Sequence, residues 1–394
     1  MSRERVLIVS NTAWNVRRYR MGFLRHLHGL GYELHVACGY ERALERELEE
    51  IGAVLHPLPA RGGGAGPFAA LWLMLRLWGI LLRVRPGILH LFTLGPAILG
   101  AALSRFFPNI RRVVVSLTGM GAWRRDWTRP LGRVLTALAR IAWGARGTHV
   151  VVQNHDDRAL LAAAGIVRAG QLSVILGSGV PAPIGPFEPV PRNGKITFLM
   201  VSRMLWSKGV REFVEIGQRL AAEMGTEIEF LLVGGSAEDY AARNPDFVSR
   251  DWLMALEQSD PAIRWIGFTD PATLQTLLRR CRAVMLASTY AEGVPRSLIE
   301  ALAAGRPVIT LRSPGCREVV PQGYDTGFLA DPGDSDALFD ACRRLAQDPD
   351  LADRMGQAGR AAVRAKFSSA IVDAELAALY QTEQRSVSVA AQAQ

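Results

Sequence analysis

Short apolar runs alternate along this chain with longer stretches whose apolar residues recur every three or four positions, the pattern of strands followed by amphipathic helices. Val6-Leu-Ile-Val-Ser10 is the first run. Asn11 and Thr12 follow it, then a helical pattern through Phe23, Leu24, Leu27 and Leu30 that Gly31 stops. Further strands are predicted at Glu33–Ala37, Ile88–Leu91, Arg112–Ser116 and His149–Gln153. Beyond residue 194 the alternation restarts, with strands at Ile196–Val201 and Glu229–Val233 around a helix over Val210–Met224. Strand, helix and strand follow at Ala283–Ala287, Leu298–Ala304 and Pro307–Thr310. Such alternation predicts an α/β chain with parallel sheets covered on both faces.

Residues 181–194 hold five prolines and two glycines without periodicity, so donors are missing and φ is fixed where a regular element would need neither. This places an N-terminal Rossmann-like domain at 1–184, a linker at 185–194 and a second Rossmann-like domain at 195–370. A helix is expected at 371–384 and a disordered tail at 385–394. Two doubly wound domains are expected to face each other across a cleft between their strand C-terminal ends, where such sheets bind ligands.

Charge divides the chain as well. Residues 1–180 carry 23 arginines, no lysine and 10 acidic residues, a net +13, whereas the whole chain is only +9. A half so basic expects a polyanion, and composition alone does not choose among nucleic acid, an anionic membrane and a phosphorylated substrate. The four cysteines, Cys38, Cys281, Cys316 and Cys342, show no paired spacing, which argues against a disulfide framework and against a thiolate metal site. Met1 is followed by Arg3, Glu4 and Arg5 with no apolar signal region, and the apolar stretch Ala69–Leu82 is interrupted by Arg76 and too short to span a bilayer.

The densest chemistry lies in Glu292-Gly-Val-Pro-Arg-Ser-Leu-Ile-Glu300. The segment follows a strand end, so residues 288–295 form a loop and a helix begins near Arg296. Two carboxylates there can accept hydrogen bonds from sugar hydroxyls, while helix-terminal amides suit a phosphate. Glu300 stands among Leu298, Ile299, Ala301 and Leu302, a setting in which a carboxylate needs partners. Upstream, Arg203 and Lys208 follow another strand and precede another helix. A fixed guanidinium beside a mobile ammonium can neutralise a diphosphate without a metal.

These residues resemble the signature of the family-four retaining glycosyltransferases, which have the GT-B fold: Arg203-x4-Lys208-Gly209, Glu292-Gly-x-Pro-x4-Glu300-Ala and Gly305-x-Pro-Val-Ile. The resemblance covers nearly the whole chain, including a C-terminal helix that crosses back to the N-terminal domain. It implies that Arg203 and Lys208 hold the donor diphosphate, Glu300 the ribose hydroxyls and Glu292 the donor hexose. Gly293, Val294, Pro295, Arg296 and Gly267 would complete the donor site. One departure stands out: where many members carry a His-Gly pair, this chain has Thr118-Gly119, so a catalytic histidine does not carry over. Retention in the family implies same-face attack, with the departing phosphate taking the acceptor proton and Glu292 positioning the sugar.

No cofactor and no metal are expected, since no Asp-x-Asp pair is placed for one and His26 and His28 diverge on a helix. His90, at a strand end, is either near the cleft or a satisfied structural residue. Two apolar helices with arginines seven apart, over 69–85 (Arg76, Arg83) and 128–143 (Arg133, Arg140), carry or adjoin Trp72, Trp78, Trp123 and Trp127, a pattern suited to an anionic membrane surface. Nucleic acid is disfavoured because no binding motif accompanies the charge. Asn11-Thr-x-Trp14 with Tyr19-Arg20, together with Thr118-Gly-Met-Gly121, resembles the bacterial branch that extends undecaprenyl-diphosphate-linked saccharides, often from UDP-linked N-acetylhexosamines. Arg17, Arg18, Arg20, Thr118, Gly119 and His90 would then line the acceptor side, and the protein would sit peripherally on the cytoplasmic face of the membrane. The alternatives are a GDP-mannose donor, a soluble or other lipid acceptor, a GT-B epimerase lacking its carboxylate–histidine set, and a non-catalytic scaffold that would be expected to have lost Glu292, Lys208 or Arg203.

Overall fold

A computed structural model describes residues 3–59, 67–125, 129–240 and 244–381. The expected tail at 385–394 and Trp127 lie outside the described residues. The chain divides into two compact units: residues up to Gly179 together with the chain from Ser369 onward, and Val180–Ser368.

The first unit runs β1 (Arg5–Val9), α1 (Ala13–Tyr19), α2 (Met21–Gly29), β2 (Glu33–Gly39), α3 (Arg42–Glu49), β3 (Val54–Leu58), α4 (Pro67–Val84) and β4 (Ile88–Phe92). It continues with α5 (Leu94–Ser104), β5 (Arg112–Leu117), α6 (Gly121–Arg125), α7 (Pro130–Trp143), β6 (Thr148–Val152), α8 (His155–Ala163) and β7 (Leu172–Val174). Its seven strands are ordered β3-β2-β1-β4-β5-β6-β7, all parallel. Strand alternation sends Leu7, Val9, Leu89, Leu91 and Val115 to one core with α4, α5 and α7, and Val6, Ile8, Ile88 and Val114 to the other with α1 and α2. Burial on both faces is why these strands read as continuous apolar runs. The expected first helix is two helices, broken at Arg20, whose φ of −122° departs from helical geometry.

The second unit runs β8 (Ile196–Val201), α9 (Val210–Met224), β9 (Ile228–Val233), α10 (Arg250–Ser259), β10 (Ile263–Gly267), α11 (Pro271–Arg280) and β11 (Ala283–Leu286). After these come α12 (Arg296–Ala303), β12 (Val308–Leu311), β13 (Gly327–Ala330), α13 (Ser335–Gln347) and α14 (Pro349–Ala362). Its parallel sheet is ordered β10-β9-β8-β11-β12-β13. The proline-rich segment is irregular, yet it is fastened to this unit. Arg360 donates to the Gly185 carbonyl at 2.8 Å, the Val190 N–H donates to Asp353, and Phe187 closes over Gly305 and Gly356. It is a strap across α14 rather than a loose tether. The last helix, α15 (Ser369–Ala378), belongs to the first unit, where Val372 and Leu376 join the core of α1 and α2 and Arg112 donates to the Leu379 carbonyl at 2.7 Å.

Candidate functional site

In both sheets the strand order reverses beside the first strand of the unit, and ligands of such sheets bind at that switch point. In the second unit the switch lies between β8 and β11, and the two signature segments leave from those strand ends. Arg203 follows β8, and Lys208 closes a short 3-10 turn over Trp206–Lys208. Gly209 then adopts φ +88°; a Cβ there would stand 2.6 Å from the Ala287 carbonyl oxygen, so only glycine lets α9 start this close to β11. On the other side, the N–H groups of Thr289 and Tyr290 both donate to the Ser207 carbonyl (2.9 and 3.1 Å), and Asp246 accepts from the Ser207 N–H and hydroxyl. Ser207 thereby staples the two loops together.

The result brings Lys208 and Glu292 into a direct ion pair, with side chains only 9% and 14% exposed. Glu292 also accepts from the Ser288 hydroxyl at 3.2 Å. Burial and the neighbouring Arg203 push the Lys208 ammonium down to about 7, against the pull of the paired Glu292 carboxylate. Arg203 stacks between the rings of Phe247 and Tyr290, 5.9 and 5.8 Å from their centroids, and the Lys208 ammonium is 5.2 Å from the Tyr290 ring. Gly315, at φ +77°, backs the Glu292–Gly293 loop so closely that a Cβ would lie 1.8 Å from the Gly293 carbonyl oxygen. Val294 and Pro295 are buried, and Pro295, at the N-cap of α12, provides no side-chain cap. Glu300 receives Arg296 Nε at 2.9 Å, which answers its need for a partner within the helix itself. Gly267, at φ +72°, accepts from the Gly234 N–H at the end of β10, and the adjacent Phe268 is 58% exposed beside Gly235. Tyr290, Phe247 and Phe268 are neighbours of the site that the motif reading did not single out; an aromatic beside a strand-end glycine was the available signal. Among the described residues no cluster of His, Cys, Asp and Glu could hold a metal ion.

The acceptor-side expectations fare differently. His90 is fully buried within β4, its Nδ1 2.7 Å from the Tyr380 hydroxyl and its Nε2 2.8 Å from the Ser116 hydroxyl. Burial holds it neutral, and it is a structural residue that ties β4 to β5 and to the C-terminal segment. Arg17 is bound by Glu41 and Glu47, and Arg18 is half-buried. Arg20 is buried with its guanidinium 4.1 Å over the Phe92 ring, against a cavity of about 10 Å³, room for about one water and not for a diphosphate. None of the three arginines is displayed as an open anion site. Thr118 and Gly119, the latter at φ +130°, follow β5 and are half-buried. What occupies the switch point of this sheet is Ser10 and Asn11 after β1 and Thr93 after β4. Among the described residues their side-chain oxygens are buried without hydrogen-bond partners, and Thr93 is held at φ +70°, ψ 155°, a region that non-glycine residues rarely enter. Periodicity could not flag them, because their role comes from strand order.

The basic helices are also corrected in part. Trp123 and Trp143 are core residues 5.9 Å apart, and Arg124 is bound to the buried Asp157 at 2.7 Å. Trp72 and Trp78 on α4, by contrast, are exposed, together with Leu71, Leu75 and Leu82. Among the described residues no helix is long and apolar enough to cross a membrane.

Residues 185–362 match the family model of group 1 glycosyl transferases, and residues 16–176 match a glycosyl transferase 4-like domain. The capsular polysaccharide biosynthesis glycosyltransferase CapM of Staphylococcus aureus is 28% identical over 190 residues, 48% of this chain and 47% of that protein. The N,N'-diacetylbacillosaminyl-diphospho-undecaprenol alpha-1,3-N-acetylgalactosaminyltransferase of Campylobacter jejuni is 32% identical over 153 residues, 39% of this chain and 36% of its own. The matches thus span about half the length of these relatives or less. Among solved structures, Anabaena HepE in complex with UDP and glucose superposes with a TM-score of 0.73 at 17% identity, over 95% of this chain and 99% of that one. Sucrose-phosphate synthase of Thermosynechococcus elongatus gives 0.77 at 19%, over 98% and 100%. With two parallel α/β units of GT-B type and the paired family matches across them, this chain belongs to the family-four, group 1 glycosyltransferases.

Proposed function

We propose that the protein is a retaining transferase that moves a hexose or N-acetylhexosamine from UDP to a polyprenyl-diphosphate-linked saccharide at an anionic membrane, without a metal. The observation that carries this reading is the buried Lys208–Glu292 pair at the switch point, with Arg203 stacked beside it. A diphosphate entering there would take the ammonium, leaving the Glu292 carboxylate to accept from sugar hydroxyls. Arg203 and Lys208 would then stabilise the charge that develops on the leaving phosphate. In the step itself the anomeric C–O bond to phosphate breaks, the acceptor oxygen bonds to the same face, and the acceptor proton passes to the departing phosphate oxygen. No protein base is consumed.

The name of the Campylobacter relative supports an undecaprenol-linked acceptor, and HepE was solved with UDP. The exposed apolar face of α4 and the +13 charge of residues 1–180 support membrane docking. The experiment is nucleotide release from a panel of UDP- and GDP-sugars, with and without a polyprenyl-diphosphate saccharide, in excess EDTA. Release from a UDP-sugar that rises with the lipid acceptor and survives EDTA is expected. Preference for a GDP-sugar, for a soluble acceptor, or a strict need for added magnesium or manganese would each overturn the corresponding part.

A further inference from the structure

Between the edge strand β3 and α4 lies a groove of about 270 Å³, lined by His56, Pro57, Leu75, Arg76, Ile80 and Arg83. It belongs wholly to the first unit, and no step proposed above uses it. Arg76 donates to the Pro57 carbonyl at 3.3 Å and lies over the Trp72 ring, 5.4 Å from its centroid. Among the described residues neither Arg76 nor Arg83 meets a carboxylate, whereas Arg5, Arg17, Arg111 and Arg124 all do. Two uncompensated guanidinium groups, one helical turn pair apart on the same wall, make a site for an oxyanion.

The rim of the groove narrows the ligand. α4 is apolar nearly all round, a composition that ordinarily means full burial. Here Leu77 and Leu81 face the core while Trp72, Leu75, Trp78 and Leu82 remain exposed, and Phe106 extends the surface with its ring 5.8 Å from Trp78. An apolar surface this continuous marks an interaction site. A second copy of the chain would bring one strongly basic half against another, so self-association is the wrong occupant. A lipid satisfies both parts of the site: phosphate between the arginines, acyl chains along the tryptophan face.

We infer that the β3–α4 groove binds the phosphate head group of an anionic phospholipid, with α4 lying in the membrane interface. This rests on the membrane part of the function proposed above and adds a defined site to it. Its chemistry is separable from transfer, because the groove lies outside the donor-side residues.

The test is flotation of the full-length protein with three kinds of vesicle: phosphatidylcholine alone, phosphatidylcholine with phosphatidylglycerol, and phosphatidylcholine with an equal surface charge supplied by oleate. Tighter binding to phosphatidylglycerol than to the charge-matched oleate vesicles is expected. Arg76→Gln with Arg83→Gln should erase that difference and weaken partitioning about 25-fold, on the order of fivefold per cation. Brominated acyl chains should quench tryptophan fluorescence, and Trp72→Phe with Trp78→Phe should abolish the quenching. Transfer to a short soluble acceptor should be unchanged in both double variants, which shows that they fold. If wild type binds neither anionic vesicle, the groove and the membrane reading fall together. If the arginine variant keeps the phosphatidylglycerol preference, the groove alone falls and docking elsewhere stands. Saturation of the site by glycerol phosphate, with vesicle binding then lost, would make the ligand a soluble phosphate and overturn the lipid assignment.

Discussion

Replacing Lys208 by alanine removes a buried cation that pairs directly with Glu292. Two effects follow, and they separate by assay. If Lys208 meets the donor phosphate in the transition state, its loss should cost what removal of one preorganised donor to a developing oxyanion costs, about 3–4 kcal/mol, or on the order of 100- to 1,000-fold in kcat. The structure adds a second cost. Glu292, with its side chain 14% exposed, keeps its Ser288 hydrogen bond at 3.2 Å but loses the Lys208 ammonium. A buried charge deprived of its partner destabilises by about 3–5 kcal/mol, less here because the carboxylate can protonate or take water. Lys208→Ala should therefore lower both kcat and Tm. Lys208→Ala with Glu292→Gln should recover much of the Tm and none of the kcat. Steady-state kinetics with a UDP-sugar and thermal unfolding of wild type and the two variants check this. A single variant within threefold of wild-type kcat would remove Lys208 from the chemistry, whatever its effect on Tm.

The depressed Lys208 pKa also sets a pH dependence: the ammonium is present below about 7 and lost above it, so donor affinity should be full below that pH and fall by up to about tenfold per unit above it. Lys208→Arg should flatten the profile, measured with an intact UDP-sugar, which lacks a titrating terminal phosphate. Gly209→Ala forces a Cβ to within 2.6 Å of the Ala287 backbone at φ +88° and should cost at least about 1–3 kcal/mol in denaturant unfolding, with donor turnover lost in parallel; an unchanged midpoint would refute the close approach of α9 to β11. Thr93→Gly relieves a backbone held at φ +70° and should gain about 1 kcal/mol of stability while raising KM for the acceptor; a gain without a kinetic effect would make Thr93 a structural accident. Phe268→Ala should leave Tm within about 1 °C and weaken UDP binding by roughly 5- to 100-fold if the exposed ring stacks on the base, as read by calorimetry.

Features that are local or strongly patterned are readable from residue order alone. Strands buried on both faces announce themselves as apolar runs, so β1, β2, β4, β5, β6, β8, β9, β11 and β12 were legible to within a residue or two, as was α9 over Val210–Met224. The position of Arg203, Lys208 and Glu292 in loops after β8 and β11 was legible too, because each loop lies between an apolar run and a helical pattern. Short or atypical edge elements were not: β3 contains Pro57 and an exposed Val54, and β7 has three residues, too few to show a period. Which cations are available depends on contacts between distant parts of the chain. Arg17, Arg20 and Arg124 look alike in a list of basic residues, but Glu41 and Glu47, the Phe92 ring and Asp157 claim them, while Arg76 and Arg83 meet no carboxylate among the described residues. The same holds for His90, which a strand-end position suggested for the site and which its partners Tyr380 and Ser116 assign to the core. The physical reason is common to all of these. Propensity and periodicity act between near neighbours in sequence, whereas burial, ion pairing and strand order depend on residues brought together from distant parts of the chain, as Tyr380 is brought to His90.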